Sequence, residues 1–432
     1  MVFSQTGAKM ASLSGLRSIM DDIATTTAAS AGTHWLNLSI GNPAVIPEVT
    51  AGWQRLAAAA LVDSFGDVSC RYGPARGTDE LVDAVVGYFH NRYGWEIGPC
   101  NVVVGPGSQL LCFIAAALFT GPGAPRPANL VLPMVPDYTG YQALCMTPGG
   151  IVGIEPSCIQ EEKRYFRYQF DFPALESRTD IGLMMLSSPS NPTGRCLDAG
   201  ELDRLIGTAE KLDAPLLIDN AYGEPFPCIG EAPGTPRWHD NVINCFTVSK
   251  AGLPGERIGF AIGHEKHIDP MVSFLANSAL HAPQLVQATV ARALVSGELD
   301  AMVSAAIRPF YAHRRKLVET LLFDALPAEV SWRLYASQGG MFCWIWIDED
   351  WFDDLTLYQA LKAKRVFVVP GRHFFTKPEG SGRLGPHARR CFRVSISADQ
   401  AALTEGIGRI AEALEEMRRD KLLRPQRSRG IR

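Results

Sequence analysis

Short apolar runs alternate with longer amphipathic stretches between about residues 81 and 262 of the chain. The apolar runs are rich in β-branched residues, which favours strands. We assign six such strands: Asn101–Val104, Asn129–Pro133, Gly182–Leu186, Pro215–Asp219, Val242–Val248 and Arg257–Ile262. Helical patterns such as Leu110–Phe119 and Ala199–Leu212 lie between them, and Asp198 is a candidate N-cap for the second. This alternation predicts an α/β fold whose mainly parallel sheet is covered by helices on both faces.

The pattern changes after about residue 295. A long helical pattern covers Arg308–Leu326, and a final one runs from Gln400 to about Met417. Three separate strand candidates lie between them: Met341–Ile347, Val366–Val369 and Phe392–Ile396. This arrangement predicts a second, smaller α+β unit. We place the large domain at residues 51–305 and the small domain at residues 306–432, and we expect residues 1–50 to form an N-terminal segment that joins the small domain.

Composition and charge are those of an ordinary globular protein. Of the 432 residues, 47 % are hydrophobic and 20 % are charged, and the formal net charge is −4. Such a balance creates no general attraction for nucleic acid or anionic lipid. Basic residues crowd only into the tail that follows Met417, where a solvated terminus is the more ordinary explanation. The basic residues of this tail are Arg418, Arg419, Lys421, Arg424, Arg427, Arg429 and Arg432.

Several other classes of protein and site are not indicated. The opening residues lack the profile of a signal peptide, and no apolar stretch is long enough to span a bilayer, so we expect a cytoplasmic protein. The ten cysteines are scattered without a Cys-x-x-Cys pair, which favours reduced thiols. His264 and His267 do not have the helical zinc spacing His-Glu-x-x-His, so we expect no metal site.

Ligands of open α/β sheets bind beyond the carboxyl ends of the strands. After the first predicted strand the chain reads Gly105-Pro-Gly107-Ser108-Gln109 and then becomes helical. Glycines permit a tight turn, and the free N–H groups of a first helical turn suit a phosphate. The dinucleotide-binding fingerprint is absent, because Leu110 stands where its third glycine belongs. An ordinary strand–helix turn explains this segment equally well.

Three later strands are followed by residues that suit ligand chemistry. Asn191, within Asn-Pro-Thr-Gly, can donate a hydrogen bond to a ligand oxygen. Asp219 ends another strand and can pair with a protonated ring nitrogen, while Tyr222 follows three residues later. Lys250 ends a third buried strand, and Arg257 follows it in Gly-Leu-Pro-Gly-Glu-Arg. A buried lysine is costly unless it has a function.

Four motifs in this order resemble a known family. The chain contains Asn-Pro-Thr-Gly, then Asp-Asn-Ala-Tyr, then Ser-Lys-x-Gly-Leu-Pro-Gly-x-Arg, and finally Cys-Phe-Arg-Val-Ser. Together they resemble the fold-type-I aminotransferases of class I/II, which use pyridoxal 5′-phosphate (PLP). The resemblance covers Gly41 to Arg393, and its ordered motifs are far more specific than any one alone. Within the family, residues 41–48, 219–227, 249–259 and 369–375 are most similar to valine–pyruvate aminotransferases. The resemblance implies the type I PLP-transferase fold and transaminase activity.

The resemblance also implies the roles of the catalytic residues. Lys250 would hold PLP as a Schiff base and would move the proton between the substrate Cα and the cofactor. Its pKa should be depressed, because it must be uncharged to act as a base. Asp219 would keep the pyridine nitrogen protonated. Asn191 and Tyr222 would bind the phenolic oxygen, and Tyr138 would stack on the ring.

Further residues are implied at the two charged ends of the ligand. The implied phosphate site consists of the amides of Ser108 and Gln109, the hydroxyl of Thr247 or Ser249, and Arg257. Arg393, assisted by the Gly41 amide and by Asn191, would grip the substrate α-carboxylate through a two-pronged contact. Tyr72 matches the family tyrosine that reaches the phosphate of the neighbouring subunit. A homodimer with shared active sites is therefore expected.

Some of these residues also have ordinary structural explanations. Arg393, taken singly, is more typical of a surface or ion-paired arginine, and Tyr138 of core filling. Both Thr247 and Ser249 could be strand residues with satisfied hydroxyl groups, and we expect only one of them to contact phosphate. Lys250 and Asp219 have the weakest alternative explanations, because buried unpaired charges are rare.

The motifs leave the reaction and the substrate open. PLP lyases and amino-acid oxidases carry the same lysine, aspartate and arginine, and a non-catalytic ligand-sensing module is a more distant alternative. The resemblance implies transfer between a small aliphatic amino acid, valine or alanine, and a 2-oxo acid such as pyruvate. Glu224, just past Tyr222, would instead favour a basic donor such as arginine if its carboxylate faced the pocket. The more ordinary alternative is that Glu224 points to solvent or pairs with a nearby arginine. Arg17 lies in an N-terminal segment that folds over the substrate in this family.

Overall fold

The computed structural model describes residues 2–11, 15–30, 32–122, 128–231, 234–376 and 384–423. Within these residues the helices are α1 (Gln5–Met10), α2 (Gly15–Ala29), α3 (Pro47–Ser69), α4 (Asp79–Tyr93), α5 (Ser108–Phe119), α6 (Phe172–Glu176), α7 (Ala199–Lys211), α8 (Glu265–Ser278), α9 (Gln284–Val295), α10 (Glu298–Met302), α11 (Arg308–Ala325), α12 (Asp354–Ala363) and α13 (Gln400–Leu423). The strands are β1 (Leu36–Asn37), β2 (Val102–Gly105), β3 (Asn129–Leu132), β4 (Ile151–Gly153), β5 (Ser157–Gln160), β6 (Tyr165–Gln169), β7 (Ile181–Ser187), β8 (Leu216–Asp219), β9 (Val242–Thr247), β10 (Gly259–Ile262), β11 (Trp332–Tyr335), β12 (Phe342–Ile347), β13 (Val366–Phe367), β14 (Val369–Pro370) and β15 (Cys391–Ser395).

Seven strands form the central sheet in the order β2-β10-β9-β8-β7-β3-β4. Strands β9, β8, β7, β3 and β4 are parallel neighbours, and only β10 runs antiparallel to both of its neighbours. All six strands predicted in this part of the chain are present, so the prediction of a mainly parallel α/β sheet is confirmed. Every residue of β2, β8, β9 and β10 is buried, because helices cover both faces of the sheet.

Helix α7 shows how local sequence sets these elements. The Asp198 carboxylate accepts from the Glu201 backbone N–H at 2.8 Å, and the Glu201 carboxylate accepts from the Asp198 N–H at 3.1 Å. This reciprocal capping box satisfies N–H groups that have no partner inside the helix. Asp198 is therefore the N-cap that the sequence predicts, and α7 ends one residue before the predicted end.

A second sheet contains strands from two distant parts of the chain. Its order is β14-β15-β12-β11-β6-β5, in which β5 and β6 come from residues 157–169 and the others follow residue 330. Strand β6 alternates buried and accessible residues, and its buried Phe166 and Tyr168 pack edge to face or tilted against Tyr335 of β11. The sequence patterns predicted none of β5, β6 and β11, and the proposed domain boundaries stay a prediction.

Both ends of the chain approach the second sheet. Strand β1 pairs in parallel with β13, and the Leu38 carbonyl accepts from the Ser395 N–H at 2.8 Å. Helix α13 begins at Gln400 as predicted but continues to Leu423, beyond the predicted end near Met417. Of the basic residues expected in a solvated tail, Arg418, Arg419 and Lys421 lie within α13, where Arg418 and Arg419 donate to Glu415. The others, Arg424, Arg427, Arg429 and Arg432, lie outside the described residues. In the described part of the chain, no helix is long and apolar enough to cross a membrane.

The topology brings three chain regions to one edge of the central sheet. The carboxyl ends of the parallel strands β7, β8 and β9 lie there, beside the first turn of α5. The segment around Gly41 and strand β15 approach the same edge, because both contribute to one cavity with these strand ends. This edge is where a ligand site is expected in an α/β sheet.

Candidate active site

A cavity of about 460 Å³ opens at this edge of the sheet. Twelve of the thirteen residues predicted for the site line it. They are Gly41, Ser108, Gln109, Tyr138, Asn191, Asp219, Tyr222, Thr247, Ser249, Lys250, Arg257 and Arg393. The exception is Tyr72, which is 88 % exposed and whose ring contacts His281 edge to face, with ring centroids 6.1 Å apart.

Lys250 lies in a short 3-10 turn directly after β9. Its Nζ donates a hydrogen bond to the Gly41 carbonyl oxygen at 2.8 Å. Burial together with the positive charges of Arg393 and Arg257 lowers the pKa of Lys250 to about 8, while Asp219 opposes the shift. A lysine with this pKa gives up its proton far more easily than a free lysine, so it is suited to act as a nucleophile and as a base.

Asp219 ends β8 as a buried carboxylate. Its Oδ2 accepts from the Tyr141 hydroxyl at 3.0 Å, and its Oδ1 accepts from the Ala221 backbone N–H at 3.2 Å. Burial raises the pKa of Asp219 to about 6, whereas these hydrogen bonds and the charge of Lys250 lower it. Tyr141 was not predicted, and the only available signal was its place three residues after Tyr138 in the same strand-end loop.

Arg393 is a buried cation in β15, with a relative exposure of 3 %. It donates to the Asn191 side-chain oxygen at 2.8 Å and to the Ser39 carbonyl at 2.7 Å, and its Nε has no partner among the described residues. Its guanidinium lies over the Phe342 ring, 3.9 Å from the centroid. Burial lowers the pKa of Arg393 to about 10, so the group still carries its charge at neutral pH. A charged guanidinium that lines a cavity and forms no recorded ion pair is suited to bind an anion.

Two tyrosines contribute rings to the cavity wall. The Tyr222 hydroxyl accepts from the Asn191 side-chain amide at 3.5 Å, and burial raises the pKa of Tyr222. The half-buried ring of Tyr138 stands edge to face against Tyr141, with centroids 5.3 Å apart. A flat ligand ring therefore has both a phenol donor and an aromatic face within the same cavity.

The glycine turn before α5 brings Arg257 against the first helical turn. Gly107 has a φ of 87°, and a Cβ added there would overlap the Arg257 guanidinium. A Cβ on Gly259 would lie 2.7 Å from the Ser108 backbone nitrogen. The first-turn N–H groups of a helix lack partners within the helix. These amides and the adjacent guanidinium suit a phosphate.

The hydroxyls of Thr247 and Ser249 differ in whether a hydrogen bond within the protein already occupies their proton. The Thr247 hydroxyl donates to the Ile258 carbonyl at 2.8 Å and accepts from the Ser249 backbone N–H at 3.1 Å. It lies 2.8 Å from the Ser249 hydroxyl. Because Thr247 has only one proton to donate, Ser249 is the better placed of the two to donate to an anion. We expected only one of these two hydroxyls to contact the phosphate.

Two further residues that the sequence singled out, Glu224 and Arg17, do not line the cavity. Glu224 does not line the cavity, and its carboxylate accepts from the Tyr93 hydroxyl at 3.3 Å. The hypothesis that Glu224 faces the substrate is therefore wrong within the described chain, because a different element, α4, holds the carboxylate. Arg17 lines a neighbouring cavity together with Lys9, rather than the cavity that contains Lys250.

Helix α2 belongs to the N-terminal segment that was expected over the substrate, and it supplies an apolar wall whose residues were not predicted. Four of its residues line the cavity at helical spacing: Ile19, Met20, Ile23 and Ala24. The Asp22 carboxylate, on the same helix, accepts from the Tyr358 hydroxyl and from Lys362, both at 2.7 Å. The signal in the sequence that could have indicated this wall is the apolar stripe at positions i, i+1, i+4 and i+5 of the helix.

Comparison with known proteins identifies the family. The family model for aminotransferase class I and II matches residues 33–410. The chain belongs to this family. The valine–pyruvate aminotransferase of Escherichia coli K12 is 31 % identical, and the match covers 96 % of this chain and 98 % of that protein.

Solved structures of aminotransferases share the fold over nearly the whole chain. A putative amino-acid aminotransferase from Psychrobacter arcticum 273-4 has a TM-score of 0.91 and 30 % identity, covering 97 % of this chain and 100 % of that one. The valine–pyruvate aminotransferase of Salmonella typhimurium LT2 has a TM-score of 0.82 and 28 % identity, covering 93 % and 100 %. The protein is thus a PLP-dependent transaminase with the type I fold.

The residues in the cavity fit PLP. Asp219, a buried carboxylate, suits a protonated ring nitrogen, and Lys250 suits covalent attachment of an aldehyde. The glycine-lined turn leaves room beside Arg257 that a Cβ at position 107 would fill. The residues that would hold the phosphate are Ser108, Gln109, Ser249 and Arg257.

We predict that Gly107→Ala weakens PLP binding. The new methyl group would displace Arg257 and would also impose a strained positive φ on a non-glycine residue. The Kd for PLP, measured by absorbance titration of the apoenzyme, should rise at least about tenfold, equivalent to ~1.4 kcal/mol. Gly255→Ala is the matched control, because a Cβ at Gly255 meets no atom within 4 Å. Equal Kd values for the two variants would contradict the assigned phosphate site.

Proposed function

We propose that this transaminase moves an amino group between a small aliphatic amino acid, valine or alanine, and a 2-oxo acid such as pyruvate. The observation that supports this proposal is the apolar wall that α2 adds to the cavity. Ile40 and Val369 extend the apolar lining beside it. An aliphatic side chain gains free energy by burial against such a wall, whereas a charged one loses its hydration.

The charged groups in the cavity support the same substrate class. Among the described lining residues, only Asp219, Lys250, Arg257 and Arg393 are charged at neutral pH. In the proposed arrangement Asp219 and Lys250 serve the cofactor, Arg257 serves its phosphate, and Arg393 serves the substrate α-carboxylate. No further lining charge is left to neutralise the side chain of glutamate or arginine. The geometry of Glu224 removes the reason for preferring a basic donor.

The proposed chemistry assigns a step to each group. When bound, PLP supplies a ring that accepts the electron pair released at the substrate Cα. Arg393 and Asn191 orient the amino acid by its carboxylate, and Lys250 Nζ would take the proton from the substrate Cα and pass it on to the cofactor. Asp219 stabilises the positive charge of the ring nitrogen. The apolar side chains of α2 exclude water from the site.

The known relatives support the aliphatic choice without deciding it. Both a curated relative and a solved structure named as valine–pyruvate aminotransferases match nearly the full chain. Other relatives are named for 2-aminoadipate, aspartate and LL-diaminopimelate, at 23–26 % identity. Substrate choice in this family therefore depends on the few residues that line each cavity.

A panel of amino donors tests the proposal. With pyruvate as acceptor, kcat/KM for valine or alanine should exceed that for arginine and for glutamate by at least about tenfold, because only the charged donors lose hydration without compensation. Glu224→Gln should leave the valine-to-arginine ratio within about threefold of wild type, since Glu224 lies outside the cavity. A lead of arginine or glutamate over both aliphatic donors would contradict the proposal.

We further propose that the functional unit is a homodimer in which Tyr72 reaches the cofactor phosphate of the partner. Within a single subunit, Tyr72 is 88 % exposed, and its side chain forms no recorded hydrogen bond among the described residues. Helix α3 ends three residues earlier and exposes the apolar side chains of Leu61, Val62 and Phe65. Exposed apolar groups of this kind favour an interface. A cytoplasmic location stays a prediction from the sequence.

Co-expression of two inactive variants tests the shared site. Tyr72→Ala lacks the proposed phosphate contact, and Lys250→Ala lacks the catalytic amine. A mixed dimer would contain one site with an intact Lys250 and a partner with an intact Tyr72. Mixed preparations should therefore be clearly more active than either variant alone. No gain in activity, or a fully active wild-type monomer in sedimentation experiments, would contradict the proposed dimer.

A further inference from the structure

A buried carboxylate behind the cavity wall connects residues that line it. Asp137 is 3 % exposed and is not among the lining residues. Its Oδ1 accepts from the Tyr138 backbone N–H at 2.7 Å and from the Ser187 hydroxyl, and its Oδ2 accepts from the Ser187 backbone N–H at 3.1 Å. Because Ser187 ends β7 and β3 lies next to β7, one side chain joins the loops that follow two parallel strands.

Ser187 extends this connection to the substrate end of the cavity. Its hydroxyl donates to Asp137 and also accepts from the Asn191 backbone N–H at 3.2 Å. The Asn191 side chain in turn accepts from Arg393 at 2.8 Å. The backbone N–H of Asp137 donates to the Phe374 carbonyl at 3.1 Å, and the Phe374 ring lies 5.2 Å from the Arg393 guanidinium. Asp137 is therefore connected to Arg393 by a path of hydrogen bonds through Ser187 and Asn191, and by a second path through the Phe374 backbone and ring.

The hydrogen-bonding pattern requires a group that only accepts. A carboxylate accepts from all three donors, whereas an amide at this position would turn an N–H group toward at least one of them. Burial raises the pKa of Asp137 to about 7, and the hydrogen bonds from Ser187 and Tyr138 oppose that rise. Burying a carboxylate is costly, so its placement behind the wall requires compensating contacts of this kind.

We propose that Asp137 is a positioning residue, which holds the Tyr138 loop and the Asn191 loop in one fixed arrangement. Tyr138, which would face the cofactor ring, then keeps its position relative to Asn191 and Arg393, which would bind the substrate carboxylate. This inference rests on the site roles proposed above, but it does not depend on the identity of the amino donor.

Four variants test the proposal: Asp137→Ala, Asp137→Asn, Ser187→Ala and Asp354→Asn. Asp354 is the matched control, since it is a fully buried carboxylate that accepts from the backbone and side chain of Arg372 and does not line the cavity. For each variant we would measure Tm, the Kd of the apoenzyme for PLP, and KM and kcat for the best donor of the wild type.

Both Asp137 variants should raise the Kd for PLP and the KM for the donor by about tenfold, because the two loops lose their common acceptor. Ser187→Ala should raise KM by more than it raises the Kd for PLP, because Tyr138 keeps its acceptor while the Asn191 backbone N–H loses its own. Asp354→Asn should lower Tm without changing either constant.

The proposal is overturned if the Asp137 variants behave like Asp354→Asn, with a lower Tm but wild-type Kd and KM. It is also overturned if Ser187→Ala retains the wild-type KM, because the path to Asn191 would then have no effect. If Asp137→Ala does not fold, Asp137→Asn and Ser187→Ala decide the question. Failure of the wild type to use aliphatic donors would refute the proposed substrates. The Kd values of the variants for PLP would still test the role of Asp137, because they do not depend on the donor.

Discussion

An excess of positive charge inside a partly enclosed cavity is the constraint on which the site depends. Lys250, Arg257 and Arg393 line it with one carboxylate, Asp219, and Arg393 is almost fully buried. Charges held away from water are costly unless counter-charges compensate them. A phosphate at one end of the cavity and a substrate carboxylate at the other would provide that compensation. Burial and the same excess of positive charge lower the pKa of Lys250, so one environment would serve both binding and proton transfer.

The fold brings these charges together from distant parts of the chain. Parallel strands β8 and β9 deliver Asp219 and Lys250 at their carboxyl ends, and β15 of the second sheet delivers Arg393. The segment before α3 contributes two backbone carbonyls: that of Ser39 accepts from Arg393, and that of Gly41 accepts from Lys250. These carbonyls accept from cations without adding a negative charge, so each cation stays available for a ligand.

Sequence patterns predicted the parts of the molecule in which local chemistry decides the structure. Six of the seven strands of the central sheet follow from continuous apolar runs, whereas β4 was not predicted, and twelve cavity residues follow from the ordered motifs and the family resemblance that they carry. Strand β6 was missed, because its pairing with β11 is a contact across more than 150 residues that leaves only a short alternating pattern, and β5 was missed with it, since β5 pairs only with β6. Tyr141 and Asp137 were missed for a related reason: their importance comes from hydrogen bonds to Asp219 and Ser187, which no local spacing reveals. The orientation of Glu224 likewise depends on Tyr93, a residue distant in the sequence.

Chemical mapping of the cofactor attachment tests the central claim most directly. Borohydride reduction of the holoenzyme fixes PLP to the lysine that holds it, and proteolysis with mass spectrometry then locates the modified residue. The account predicts a phosphopyridoxyl group on Lys250 and on no other lysine, and its loss in Lys250→Ala. Modification of a different lysine, or wild-type transaminase activity in Lys250→Ala, would contradict the account.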